Sequence, residues 1–214
     1  TLISDDSKQA EFNYNCVTTK SKRTSFPLDF FPNIEILSLR YNNLESIPET
    51  KNLHSLRYID LEANNIDKLT STSLPSNVEF VNLDINDFTE LPRLDHLKKL
   101  RSISFSQNLI SNLSNATFIP HSLKELGLHN NVIKDATDLR EIKVADEFHF
   151  NISLINNIIP KDPLACPTGN SSNLEKACAL YVKGETKAIG IQRSYLPDET
   201  IEELITRIKS YQCK

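Results

Sequence analysis

Leu56-Arg57-Tyr58-Ile59-Asp60-Leu61-Glu62-Ala63-Asn64-Asn65-Ile66 holds apolar residues at its first, fourth, sixth and eleventh positions and asparagine at its ninth. The frame begins again at Ile34, Val78, Leu100, Leu123 and His149. Its fourth position is filled by Leu37, Ile59, Val81, Ile103, Leu126 and Ile152, and its sixth by Leu39, Leu61, Leu83, Phe105, Leu128 and Leu154. The eleventh is filled by Leu44, Ile66, Phe88, Ile110, Ile133 and Ile159. The ninth is always asparagine: Asn42, Asn64, Asn86, Asn108, Asn131 and Asn157, at steps of 22, 22, 22, 23 and 26 residues. His149 is the single polar residue in the four apolar columns, and chance does not produce that in a chain that is 39% hydrophobic. Self-similarity at a period of roughly 20–29 residues is the mark of a solenoid.

Positions 3 to 7 alternate, which is strand periodicity. Residues 4 and 6 point inward, and residues 3, 5 and 7 outward. A strand this short cannot bury its apolar face alone, but stacked in parallel with its neighbours it adds to a continuous core. After the strand the chain turns, and buried backbone groups there lose their sheet partners. An inward asparagine offers one acceptor and two donors to such groups in adjacent coils. Each group left unpaired costs about 1–3 kcal/mol. The other half of each unit carries one further apolar position, Ile47, Leu69, Leu91 and Leu113. So short a unit leaves little room for an α-helix, and Pro48, Pro75, Pro92 and Pro120 interrupt helical runs. Short 3-10 or extended segments are expected there.

These repeats resemble the short-coil class of the leucine-rich repeat family, as in internalins and many animal extracellular proteins. The resemblance covers residues 34–159 and implies an α/β solenoid, or horseshoe, with a parallel concave sheet. It divides the chain into an N-terminal cap (1–33), six repeats (34–159) and a C-terminal cap (160–214). Phe12, Tyr14, Val17, Phe26, Phe30 and Phe31 give the first cap its apolar density, while residues 1–10 are polar and expected to be mobile. In the second cap, Leu180 to Ile191 alternates around Lys183-Gly184-Glu185-Thr186 as a hairpin. A helix follows from about Glu199, with Thr200 and Glu203 as a capping box and Ile201, Leu204, Ile205 and Ile208 as its docking stripe.

Cys16 precedes the repeats, and Cys166, Cys178 and Cys213 follow them. Six strands at roughly 4.8 Å separate the two ends by far more than a disulfide spans. At most one bridge therefore forms in the C-terminal cap. Cys16 is left as a free or intermolecular thiol, which raises a disulfide-linked dimer, or is buried in the N-terminal cap. Asp162-Pro163-Leu164-Ala165-Cys166 is similar to the opening of the cysteine-flanked cap of extracellular family members. That resemblance implies a Cys166–Cys213 pairing with Cys178 open. Pro167 and Thr168 replace the family's C-x-C continuation and tryptophan is absent, so Cys178–Cys213 stands as the alternative. Sequons at Asn112, Asn115, Asn151 and Asn170 permit glycosylation. The start at Thr1 is compatible with a removed signal peptide or a trimmed chain, and together these features suggest a secreted or cell-surface setting.

No catalytic constellation is present. The five histidines, His54, His96, His121, His129 and His149, have no metal-ligand spacing, so no metal or cofactor is expected. The net charge is −4, and no basic block is large enough to indicate nucleic acid; Lys20, Lys22 and Arg23 form the densest basic cluster near the N-terminus. No apolar run is long enough to span a membrane. What remains is a binding surface. On the outward strand positions, repeats 1–3 expose Ile36, Arg40, Tyr41, Tyr58, Phe80 and Ile85 beside Asp60, Glu62 and Asp84, whereas repeats 4–6 offer small polar residues. Aromatic anchors with charges at the rim are the material of binding hot spots. Arg40, Tyr41, Tyr58, Asp60, Glu62, Phe80 and Asp84 are therefore the candidate ligand-binding residues, for a protein partner with a basic element. The family resemblance suggests an innate-immune or receptor-type role. A pathogen-secreted protein binding host molecules and an intracellular scaffold or regulatory subunit are the alternatives.

Overall fold

The computed structural model describes residues 9–11, 28, 33–145, 150–154 and 157. Their strands are β1 (Gln9–Glu11), β2 (Ile36–Ser38), β3 (Tyr58–Asp60), β4 (Phe80–Asn82), β5 (Ser102–Ser104), β6 (Glu125–Gly127) and β7 (Asn151–Ser153). They form one parallel sheet in chain order. The register aligns the fourth frame position of every repeat: Leu37, Ile59, Val81, Ile103, Leu126 and Ile152. Strands of three residues in parallel with a neighbour one coil away are what the alternating frame requires.

One expectation changes at the N-terminal end. Gln9 and Ala10 are not part of a mobile tail: with Glu11 they form β1, which pairs in parallel with β2. The strand covers an edge of backbone donors and acceptors that β2 would otherwise leave open. In the last repeat the second frame position, held by charged residues in repeats 1–5, is Phe150, only 1% exposed. The hairpin and helix expected in the C-terminal cap, all four cysteines, Asn170, the Lys20–Arg23 cluster, His149 and Ile159 lie outside the described residues. So do Phe12, Tyr14, Val17, Phe26, Phe30 and Phe31, while Leu28 joins the core at 3% exposure.

The sixth and eleventh columns are buried from Leu39 and Leu44 to Leu128 and Ile133. Phenylalanine enters these columns at Phe88 and Phe105, in adjacent coils, and the two rings meet edge to face with centroids 5.1 Å apart. On the convex side Leu69, Leu91 and Leu113 are buried and Ile47 packs against the core. Among the described residues the helical turns are short 3-10 segments at Ser114–Phe118 and Thr137–Glu141, so this side is tighter than an α-helical layer would be.

The asparagines join the coils. Nδ2 of Asn86 donates to Leu83 O and Asp84 O in its own coil and to Leu61 O in the preceding one. Its Oδ1 accepts from Ile66 N at 2.9 Å. Asn64, Asn108, Asn131 and Asn157 repeat both reaches into the coil before them. The residue before each of the first five asparagines is left-handed: Tyr41, Ala63, Ile85, Gln107 and Asn130 have φ of 53°, 57°, 55°, 57° and 54°. Outside glycine and asparagine such a conformation costs about 1–2 kcal/mol. The reversal it produces is what brings the asparagine amide under the strand.

Candidate functional site

The open face of β2 to β6 is covered by a connected polar network. Arg40 of the first repeat reaches into the next coil, where its Nε lies 3.5 Å from Asp60 Oδ2 and its Nη2 donates to Glu62 Oε2. Tyr41 Oη donates to Glu62 Oε1 at 3.3 Å, and Asn82 Nδ2 donates to Glu62 Oε2 at 3.1 Å. Tyr58 Oη donates to Asp60 Oδ2 at 3.3 Å, and Asp60 Oδ1 accepts from Glu62 N. Asn82 Oδ1 in turn accepts from Asp84 N at 3.0 Å. Asp84 Oδ1 accepts from Ser104 Oγ and from Ser106 N, and Ser106 Oγ meets His129 Nδ1 at 2.6 Å. One chain of polar contacts thus crosses five strands.

The geometry explains its electrostatics. Asp60 is 2% exposed, and burial pushes its carboxyl up to about 7 although the Arg40 cation and the Glu62 N–H favour the charged form. Asp84 is also raised by burial, against the pull of Ser104 and Ser106. Tyr58 is held well above the ordinary phenol range, first by burial and then by the neighbouring Asp60 charge. Glu125, on the same face, is raised by burial as well.

The face therefore differs from an exposed acidic patch with aromatic anchors. Asp60 is an interior partner of Arg40, not a rim charge, because residues 40 and 62 flank it from the adjacent strand and its own. Glu62 is engaged by Arg40, Tyr41 and Asn82. Tyr58 and Phe80 are half-buried, as are Ile36, Arg40 and Asp84. Ser38, Ser106, Glu125 and Ser153 are buried although they occupy outward strand positions. Strands this short are flanked closely by their neighbours, so side chains one coil apart cover each other.

Among the described residues the exposed large apolar side chains are Tyr41, Ile85 and Leu109, at 38%, 39% and 53%. All three lie at the turn that follows a strand, beside the asparagine of their coil. Arg40 stacks on Tyr41, 5.3 Å from the ring centroid. Tyr41 and Ile85 are legible as outward positions of the frame. Leu109, directly after Asn108, falls at the tenth frame position, which the outward residues of the frame do not include. Of the sequons, Asn112 is exposed and Asn151 half-buried on β7, while the Asn115 amide donates to Leu91 O at 2.9 Å. Among the described residues no group of acidic, histidine or cysteine side chains is arranged to hold a metal ion. No helix there is long and apolar enough to cross a membrane.

A family model described as Leucine Rich repeats (2 copies) matches residues 32–75. No curated protein matches the chain. Among solved structures, an internalin from Listeria monocytogenes superposes with a TM-score of 0.51 and 26% identity, over 61% of this chain and 37% of that one. TLR13 in its complex with ssRNA13 gives a TM-score of 0.48 and 16% identity, over 72% of this chain and 25% of that one. YopM, a leucine-rich effector protein from Yersinia pestis, gives 0.44 and 28% identity, over 59% and 33%. The chain thus spans between a quarter and two fifths of the length of these structures. With its in-register coils, its asparagine ladder and the family model over two of its repeats, the chain is a leucine-rich repeat protein.

Proposed function

We propose that this protein is a non-enzymatic recognition module that docks a protein partner on repeats 1–4, along the rim where the strands turn. The observation that carries the proposal is the placement of Tyr41, Ile85 and Leu109. They are the exposed large apolar residues of the described chain, and all stand at that rim. Two of them hold a left-handed backbone, a conformation that ordinary residues adopt at a cost. Apolar anchors beside an ordered polar surface are the arrangement expected of a hot-spot cluster. The network behind them fixes the neighbouring side chains, which lowers the entropy lost on docking. Arg40 already offsets part of the acidic charge, so apolar contact comes first and a basic element of the partner second.

The module acts outside the cell on this proposal, as a secreted or cell-surface protein of host-defence, receptor or virulence type. Support comes from the four cysteines, which flank the repeats in the sequence, and from the exposed sequon at Asn112. The test is capture of partners by the wild-type protein and by two variants. Tyr41→Ser/Ile85→Ser/Leu109→Ser removes the rim anchors, and Asn52→Ser/Lys68→Ser alters exposed residues elsewhere on the coil. Loss of one captured species in the rim variant alone supports the proposal. Equal capture by all three proteins overturns it. Mass spectrometry of the cysteines, without reduction, tests the setting: four thiols together with empty sequons would count against an extracellular role.

A further inference from the structure

A second surface lies at the opposite, N-terminal ends of the strands. The residue before each strand is the second of the frame, and this column runs Glu35, Arg57, Glu79, Arg101 and Lys124. Glu79 is spanned by two cations: its Oε1 accepts from Arg57 Nε at 2.9 Å, and its Oε2 lies 3.4 Å from Arg101 Nε. The alternation ends there. After Arg101 comes a further cation, Lys124, and Lys99 stands two residues before Arg101 at the start of the same coil.

A cleft of about 320 Å³ opens at this break, and its lining includes Glu79, Lys99, Arg101, His121, Ser122 and Lys124. Its walls are fixed by backbone bonds. Arg101 N donates to Glu79 O and Lys124 N to Arg101 O, each at 2.8 Å, and Ala145 N closes the far side on His121 O. Leu123 provides a buried floor. The lining carries three cations and one carboxylate, an excess of two positive charges in a chain whose net charge is −4. The one carboxylate is already shared by Arg57 and Arg101. Among the described residues Lys99 and Lys124 have no acidic partner within 4.0 Å. Ser122 Oγ is buried in the wall with no hydrogen-bond partner there. An unpaired buried hydroxyl is costly, and such groups point to a ligand or an ordered water.

We propose that this cleft binds a phosphate group, free or as a monoester, between the ammonium groups of Lys99 and Lys124, with Arg101 and Ser122 as further donors. The charge excess of two matches a phosphate near neutral pH, which carries roughly −1.5 to −2 and offers three acceptor oxygens. A carboxylate would leave one ammonium unanswered. The volume is at the lower end of ligand sites, which leaves room for a small group and not for a large one. The site is independent of the rim, which lies at the other end of the strands.

The experiment is a titration of the intact protein followed by amide NMR at pH 7 and low salt, with inorganic phosphate, phenyl phosphate and acetate as probes. Phosphate should move the amides of Arg101, Ser122 and Lys124 saturably, with a dissociation constant on the order of 1 mM. Acetate should bind about tenfold more weakly. Lys99→Gln/Lys124→Gln should weaken phosphate at least tenfold, and Lys68→Gln, a solvent lysine outside the cleft, should leave it unchanged. Unchanged melting curves confirm that the fold is retained, since all three lysines are exposed. Phenyl phosphate binding as tightly as phosphate assigns an esterified ligand, and weaker binding assigns the free anion. Non-saturating shifts, equal response to acetate, or full binding by the double variant overturns the proposal.

Discussion

Arg40 and Asp60 belong to successive coils, and the guanidinium Nε of one stands 3.5 Å from the carboxylate of the other on a face where Asp60 is almost fully covered. A buried ion pair has to offset the desolvation of both charges. Here Glu62 shares the cation, so the cluster holds two acids against one base. The polar cover of the sheet is thus held under electrostatic tension that responds to pH.

Asp60 ordinarily loses its proton near 3.8, as it does in the unfolded chain, but in the fold only near 7. Between those values the unfolded state has released a proton that the folded state keeps. Stability contributed by Asp60 is therefore full below about pH 4, falls as pH rises to about 7, and is flat above. Asp60→Asn lacks this dependence. Urea melts from pH 4 to 8 should show the variant gaining on the wild type as pH rises through that window. A constant difference across the range would show that Asp60 does not titrate there.

The asparagine ladder gives a larger effect. Asn86→Leu leaves Leu61 O and Ile66 N without their side-chain partner inside the coil stack. With each unpaired group costing about 1–3 kcal/mol, a loss on the order of 3 kcal/mol or more is expected. Asn65→Leu, one coil earlier at an exposed position, should stay within about 0.5 kcal/mol of wild type. Chemical denaturation of the two variants checks the contrast, and similar losses would show that Asn86 acts by helping only its own turn.

What the sequence makes legible follows from what each residue does. The columns through Leu61, Asn64 and Ile66 repeat because every coil must bury the same positions, so architecture could be read directly. Gln9–Glu11 has no frame of its own, since a covering strand needs backbone and not a pattern. The cover over Asp60 was hidden because strand alternation marks 60 as outward without saying what lies beside it. Aligning Arg40 and Glu62 with it, one coil apart, would have shown opposite charges meeting. The left-handed column was silent for another reason: Tyr41, Ala63, Ile85 and Gln107 include no glycine to announce it. The basic cleft needed Lys99 and Lys124, 25 positions apart, to be brought together by stacking.

Sequon use should be uneven. Asn112 is exposed, whereas the Asn115 amide donates to Leu91 O and is half-buried. A glycan on Asn115 would have to disturb that bond. Glycopeptide mass spectrometry after expression in a secreting eukaryotic host should find Asn112 occupied in preference to Asn115. The reverse order would place the Asn115 side chain outside the coil.

The left-handed column offers a stabilising change. Ile85 is β-branched, its φ is 55°, and its side chain is 39% exposed, so it tolerates strain without gaining much burial. Asparagine visits this conformation far more readily, as Asn130 does in the fifth repeat. Ile85→Asn should therefore raise unfolding free energy by about 1 kcal/mol, read as a higher denaturation midpoint at unchanged slope. If the rim is the docking surface, the same variant should lose partner binding while it gains stability. Selection for fold alone would not keep isoleucine at that position, so the two measurements moving in opposite directions would mark Ile85 as a residue retained for contact.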